Sequence, residues 1–244
     1  MKTEGIIYVL NCPCTIADRN YYQDFIQQGL SKGASIITVA INARKIVMYN
    51  QNPEFRMIFE QNEVLPVPDG IGATIPLRLF NKKLSAKIDF PGFMFNFCHI
   101  NGIRCYFLGT TESNNEKAVA QIAKDYPGIK ITGRHSGFDI NEEELLTNWA
   151  KNKTQVVYLA MGSPRQELLS ARLAQRSSGI IFVGVGGRFD ILANEKKRAP
   201  RFLINLGLEW TYRFFNEPAR IKQQRKDMIA YLSLFSKRLL NKAD

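Results

Sequence analysis

The stretch VVYLAMGSPRQELLSARLAQ, residues 156–175, decides the fold. It opens on a branched and aromatic apolar run, the composition of a buried strand, and closes on leucines spaced to share one face of a helix. Between them GSPRQE (162–167) packs a turn, a proline, a cation, an amide and a carboxylate into the point where strand hands over to helix. The same handover recurs outward along the chain. SIITVAI (35–41) precedes ARKIVMYNQ (43–51), IRCYFLG (103–109) precedes NNEKAVAQIAKDY (114–126), and GIIFVGVG (179–186) leads toward the C-terminal segment. This alternation predicts an α/β protein with a Rossmann-like, mostly parallel sheet flanked by helices. The strand-like runs stop near Glu195, and beyond it Ile221, Met228, Leu232, Phe235 and Leu239 recur at helical spacing. The expected organisation is therefore an α/β catalytic body over residues 1–195 and a basic helical appendage over 196–244.

Composition narrows the class of function. With 244 residues, 45% of them apolar, the chain can fill a large core. Its longest apolar runs fall well short of the roughly 18 residues that a bilayer crossing needs, and the N-terminal MKTEGIIYVLNCPC lacks the apolar core and cleavage site of a signal peptide. Four cysteines are too few for a disulfide scaffold, so they read as free thiols in a cytoplasmic protein. The net charge of +11 calls for an anionic partner. From Lys196 onward twelve Lys and Arg face four Asp and Glu, which places the excess on the appendage.

In open parallel sheets, ligands sit at the carboxyl ends of the strands, where loops lead into helices. Four such loops carry suggestive residues: INARK with Asn42, PDGIG with Asp69, Gly70 and Gly72, MGSPRQE with Gly162, Pro164, Gln166 and Glu167, and GVGGRFD with Gly184, Gly186, Gly187 and Asp190. Each taken singly also fits an ordinary turn or helix cap; together, on one rim, they point to a ligand site. GVGGRF departs from the dinucleotide fingerprint at Phe189, and no Walker A pattern occurs. The glycines at 184–187 let a backbone approach a diphosphate closely. Gln166 and Glu167 have the donors and acceptors for sugar hydroxyls, and equally for capping a helix that starts at Pro164. No Asp-x-Asp pair is available to hold a divalent ion, and His99 and His135 lack partners at a zinc-ligand spacing. No metal and no cofactor are expected, so cations and oriented amides would have to stabilise a diphosphate leaving group.

The ordered set VAINARK, PDGIG, AMGSPRQE, GVGGRFD, KRAP and GLEWTYRFFNEPARIK, running from Val39 to Lys222, resembles the WecG/TagA/CpsF glycosyltransferases of bacterial surface-polymer synthesis, and within them the WecG branch. The resemblance implies an inverting, metal-independent transfer of an N-acetylmannosamine-type sugar, in the WecG branch N-acetylmannosaminuronate, from UDP to GlcNAc linked to undecaprenyl diphosphate. It makes Asp69 the general base. Asn42 and Gln166 match motif residues of the site, and Arg198, Arg213 and Arg220 lie in the matching appendage, Arg213 and Arg220 near the leaving diphosphate. The partners it implies are a UDP-sugar donor, a polyprenyl-diphosphate-linked sugar acceptor and the cytoplasmic membrane surface, with the protein peripheral on its inner face. The chain departs from the family pattern at Ala40, in LSAKIDF (84–90), where Asp89 alone is kept, at Arg188, where a small hydroxyl residue is usual, and at Asn194. Arg188 raises the question of whether a guanidinium there meets a uronate carboxylate or is simply an exposed loop residue.

Three other readings stay open at the level of sequence: the same fold with another donor such as UDP-N-acetylmannosamine or UDP-glucose, a basic nucleic-acid-binding protein, and a non-catalytic scaffold. The aromatics Trp210, Tyr212, Phe214 and Phe215 are interleaved with Leu206 and Leu208, a packing pattern rather than a base-stacking platform, so no specific nucleic acid is expected.

Overall fold

Alternation of branched side chains builds the central sheet. In β3 (Ile36–Ile41), Ile37, Val39 and Ile41 join the hydrophobic cluster on one face, while Ile36 joins that on the other. In β7 (Val156–Ala160), Val157 and Leu159 face the first cluster and Val156, Tyr158 and Ala160 the second. A sheet apolar on both faces must be covered on both. The computed structural model describes residues 5–80, 88–195, 200 and 221–240. A hairpin of β1 (Ile6–Val9) and β2 (Cys12–Thr15) leads through α1 (Arg19–Lys32) to β3. There follow α2 (Ala43–Gln51), α3 (Pro53–Gln61), β4 (Glu63–Pro68), α4 (Ile71–Phe80), α5 (Phe90–Ile100), β5 (Arg104–Gly109), α6 (Glu112–Asp125), β6 (Lys130–His135) and α7 (Glu142–Lys151). The chain continues through β7, α8 (Arg165–Gln175), β8 (Ile181–Gly184) and α9 (Arg188–Leu192), and α10 (Ile221–Leu240) is the last described helix.

The main sheet is six-stranded and wholly parallel, in the order β4-β3-β8-β7-β5-β6. Its register sets Ile36 beside both Glu63 and Ile181, and Val156 beside both Cys105 and Ile181. The α/β expectation and the C-terminal helix are thus both present. β4 carries Pro66 and Pro68, tolerated because among the described strands it lies at the edge of the sheet, paired with β3. All four cysteines are buried and free; burial pushes the Cys14 thiol up to about 12, leaving it a neutral core group.

Helix α10 packs against the body rather than standing apart from it. Tyr231 is buried in the first cluster, with Met228, Ala230, Leu234 and Phe235 beside it. Phe235 meets Phe80 of α4 with ring centroids 5.4 Å apart, and Arg44 of α2 pairs with Asp227 at 3.4 Å. Of the residues at helical spacing, Met228 and Phe235 pack on the body, whereas Leu232 and Leu239 are exposed. The buried face is centred on Tyr231, about 100° further round the helix, which turns Leu232 to solvent. Of the other expected positions, the side chain of Ile221 lies outside the description.

Candidate functional site

A crevice follows from where the helices go. α2, after β3, and α8, after β7, bury Ile46, Val47, Leu169 and Leu173 in the first cluster. Between those strands lies β8, and the helix after it, α9, buries Phe189 in the second. The chain therefore leaves β8 toward the opposite face from its neighbours on both sides, and such a divergence opens a cleft at the carboxyl ends of the strands. Its floor is the turn Gly184–Gly187, and Asn42 and Gln166 stand on its two flanks.

On the β3 flank, Asn42 caps α2 by accepting from the Lys45 backbone N–H at 3.2 Å, a bond that leaves its amide nitrogen to face Asp69 Oδ2 at 3.5 Å. Asp69 follows edge strand β4 and is fixed by its own N–H donating to Ile41 at 2.8 Å. A Cβ on Gly72 would come within 2.6 Å of the Ala43 nitrogen, so glycine there lets the N-termini of α2 and α4 lie side by side next to Asp69. Gly70, Gly162 and Gly186 hold φ of 66°, 74° and 54°, in the left-handed region open to glycine.

On the β7 flank the side chains turn inward. Gln166 and Glu167 are each only 2% exposed. Glu167 Oε1 accepts from Lys45 Nζ at 2.7 Å, Ser163 Oγ at 2.9 Å and Gln166 Nε2 at 2.9 Å. Gln166 Oε1 in turn accepts from the Gly186 N–H at 3.2 Å. Gly184 makes room for this amide, since a Cβ there would lie 2.5 Å from Gln166 Nε2. Burial acts to raise the Glu167 carboxyl, but the Lys45 ammonium and the donated hydrogen bonds outweigh it, and the group sits below its ordinary value. The cap position of α8 is Pro164, without a side-chain cap bond, and the polar atoms named above face one another and Gly186. The turn is itself largely bonded, Val185 N–H to Leu159 and Arg188 N–H to Val185, so it presents fewer amides to a ligand than its glycines suggested.

Asp190, in the first turn of α9, accepts from Thr110 Oγ1 at 2.5 Å and Asn114 Nδ2 at 3.5 Å, tying the end of β5 to the crevice floor beside Gly187. Arg188 donates from one nitrogen to both oxygens of Asp89, each at 2.9 Å. The guanidinium that departs from the family pattern thus meets the one aspartate kept from LSAKIDF. Arg198, Arg213 and Arg220 lie outside the described residues.

Several residues of the rim escaped the sequence. Lys45 read as an ordinary helical lysine, yet it is buried at the centre of the network. Phe138 stands exposed beyond β6, with the Arg165 guanidinium 5.8 Å from its ring centre while Arg165 also donates to the Gly137 carbonyl. Ser163 and Thr110 carry no signal beyond their place at strand ends. Among the described residues there is no group of three or more His, Cys, Asp and Glu able to hold a metal, and no helix is long and apolar enough to cross a membrane.

The chain matches the model of the glycosyl transferase WecG/TagA/CpsF family over residues 7–244. It is 30% identical over 193 residues to an N-acetylglucosaminyldiphosphoundecaprenol N-acetyl-beta-D-mannosaminyltransferase of Bacillus spizizenii, covering 78% of this chain and 74% of that one. It is also 30% identical over 228 residues to a protein of the same description from Bacillus subtilis, covering 91% and 87%. A family match over nearly the whole length, together with relatives 30% identical over most of both chains, establishes that this protein is a glycosyltransferase of the WecG/TagA/CpsF family.

Proposed function

We propose that the crevice seats a UDP-sugar and transfers an N-acetylmannosamine-type sugar to GlcNAc carried on undecaprenyl diphosphate. The observation that carries this reading is the pairing of Asp69 with Asn42 at adjacent strand ends, beside a glycine floor organised by Gln166. In one displacement the acceptor hydroxyl oxygen bonds to the sugar C1 as the bond from C1 to the diphosphate oxygen breaks. The hydroxyl proton passes to Asp69, and UDP leaves with the bonding pair, inverting C1. The described part of the site supplies the base and the floor. Charge on the leaving diphosphate is assigned to Arg213 and Arg220, with Arg198 a further substrate-binding residue.

Two donors fit this chemistry, the neutral sugar and its uronate. The neutral one is favoured, because the Arg188 guanidinium suited to a carboxylate is already engaged by Asp89. Its test compares UDP-N-acetylmannosamine with the uronate, using Arg188→Thr: a neutral donor predicts no selective effect, whereas selective loss of uronate transfer returns the donor to the acidic sugar.

Such an acceptor lies at a membrane surface, and the outer side of α10 suits one. Ile229, Leu232, Leu239 and Leu240 are exposed there beside Arg225, Lys226, Lys237 and Arg238, and Ile75 and Leu79 are exposed on the neighbouring α4. Apolar side chains flanked by cations are the pattern of a helix lying in an anionic interface. The protein should co-sediment with phosphatidylglycerol vesicles, less so as salt rises, and Leu232→Asp with Ile229→Asp should abolish it. Unchanged sedimentation would remove α10 from membrane contact.

A further inference from the structure

We infer that Lys45 and Glu167 are positioning residues that set the donor floor in register with the base. A carboxylate only accepts hydrogen bonds. Glu167 Oε1 therefore takes the amide nitrogen end of Gln166 and forces its carbonyl end toward Gly186, whose N–H it receives. Lys45 keeps Glu167 in that acceptor-only state: burial alone would favour the protonated acid, whose hydroxyl could donate and release the amide to rotate. Glu167 Oε2 is buried with no hydrogen-bond partner among the described residues, so the ammonium at 2.7 Å is the main counterweight.

The same lysine also reaches the base. Its backbone N–H holds Asn42 Oδ1, and the other end of that amide faces Asp69. One helical turn thus carries contacts to both halves of the crevice, running from Asp69 through Asn42, Lys45, Glu167 and Gln166 to Gly186. The inference rests on the reading of the Gly184–Gly187 turn as the seat of the donor diphosphate.

The test uses the full chain, with UDP as probe and amide hydrogen exchange at Gly186 as a readout independent of any ligand. Lys45→Met together with Glu167→Gln removes both buried charges and leaves the amide of Gln166 with no acceptor-only partner. Gly186 exchange should accelerate, and UDP should bind about tenfold more weakly because the turn that seats it is no longer held in place. Lys45→Met alone removes the ammonium that holds Glu167 ionised, so its UDP affinity should acquire a pH dependence beyond the one that the ionisation of UDP itself gives the wild type. A merely structural role would lower the melting point without creating that pH dependence. Should the double variant not fold, Gln166→Leu keeps the ion pair and is expected to show the same Gly186 and UDP effects. Wild-type exchange at Gly186 in a folded double variant or in Gln166→Leu would overturn the inference. If Gly186 responds as expected while wild-type protein binds no UDP, the network stands and it is the donor seat that fails.

Discussion

Tyr231 of the C-terminal helix donates its phenolic hydroxyl to the carbonyl of Gly72 at 2.7 Å, and Gly72 belongs to the helix that begins two residues after Asp69. Burial pushes the phenol up to about 12, so it remains a neutral donor across the working pH range. The appendage is thereby bonded to the segment that aims the base. Tyr231→Phe should cost about 1 kcal/mol of stability and lower turnover while leaving UDP affinity unchanged. Calorimetry, steady-state kinetics and titration with UDP check the three parts.

Asp69→Asn keeps the shape of the side chain and removes its proton acceptor. Turnover should fall roughly a hundredfold or more, with UDP binding nearly unaltered. If Asp69 is only a turn or cap residue, the same change costs about 1 kcal/mol of stability and catalysis survives.

The buried ion pair makes a prediction about acid. Glu167 titrates below its ordinary 4.5 in the folded chain, so it binds fewer protons there than when unfolded. Its contribution to stability is complete above about pH 5 and is lost as pH falls through the folded value. Thermal melts of the wild type should show this acid-side loss, and Glu167→Gln should flatten it. That variant should also be destabilised at neutral pH by about 3–5 kcal/mol, because Lys45 is left buried without its partner.

Gly184→Ala tests the crowding behind the floor. The added methyl would sit 2.5 Å from Gln166 Nε2, displacing the amide that receives the Gly186 N–H. UDP affinity should drop about tenfold, in step with faster exchange at Gly186.

The sequence exposed the strands that lie inside the sheet. SIITVAI, IRCYFLG, QVVYLAM and GIIFVGVG contain β3, β5, β7 and β8, which lie inside the sheet with both faces covered and are therefore mostly apolar. It concealed the edges. β4 holds two prolines, and β6, KITGRH, is polar, as suits a strand with a neighbour on one side only among the described strands. The β1–β2 hairpin turns at Leu10 and Asn11 with φ of 48° and 64°, a conformation that Asn-Gly would have advertised and leucine does not.

At the site, strand-end glycines and polar residues were legible because four such loops fall on one rim, each directly after an apolar run. The partnerships were not. Nothing local marks Lys45 as buried, since its complement Glu167 is over a hundred residues away, and Arg188 looks solvent-facing until Asp89 is placed beside it. The outward turn of Leu232 was equally hidden, because helical spacing identifies a stripe without saying which side of it meets the core.

The most direct test of the transferase reading incubates the protein, in the presence of a chelator, with a short-chain polyprenyl-diphosphate-linked GlcNAc and each of UDP-N-acetylmannosamine, its uronate and UDP-glucose, and weighs the lipid product. The expected result is a mass gain of one N-acetylhexosamine with the neutral mannosamine donor, abolished in Asp69→Asn. Absence of product with every donor, or undiminished product from Asp69→Asn, would contradict it.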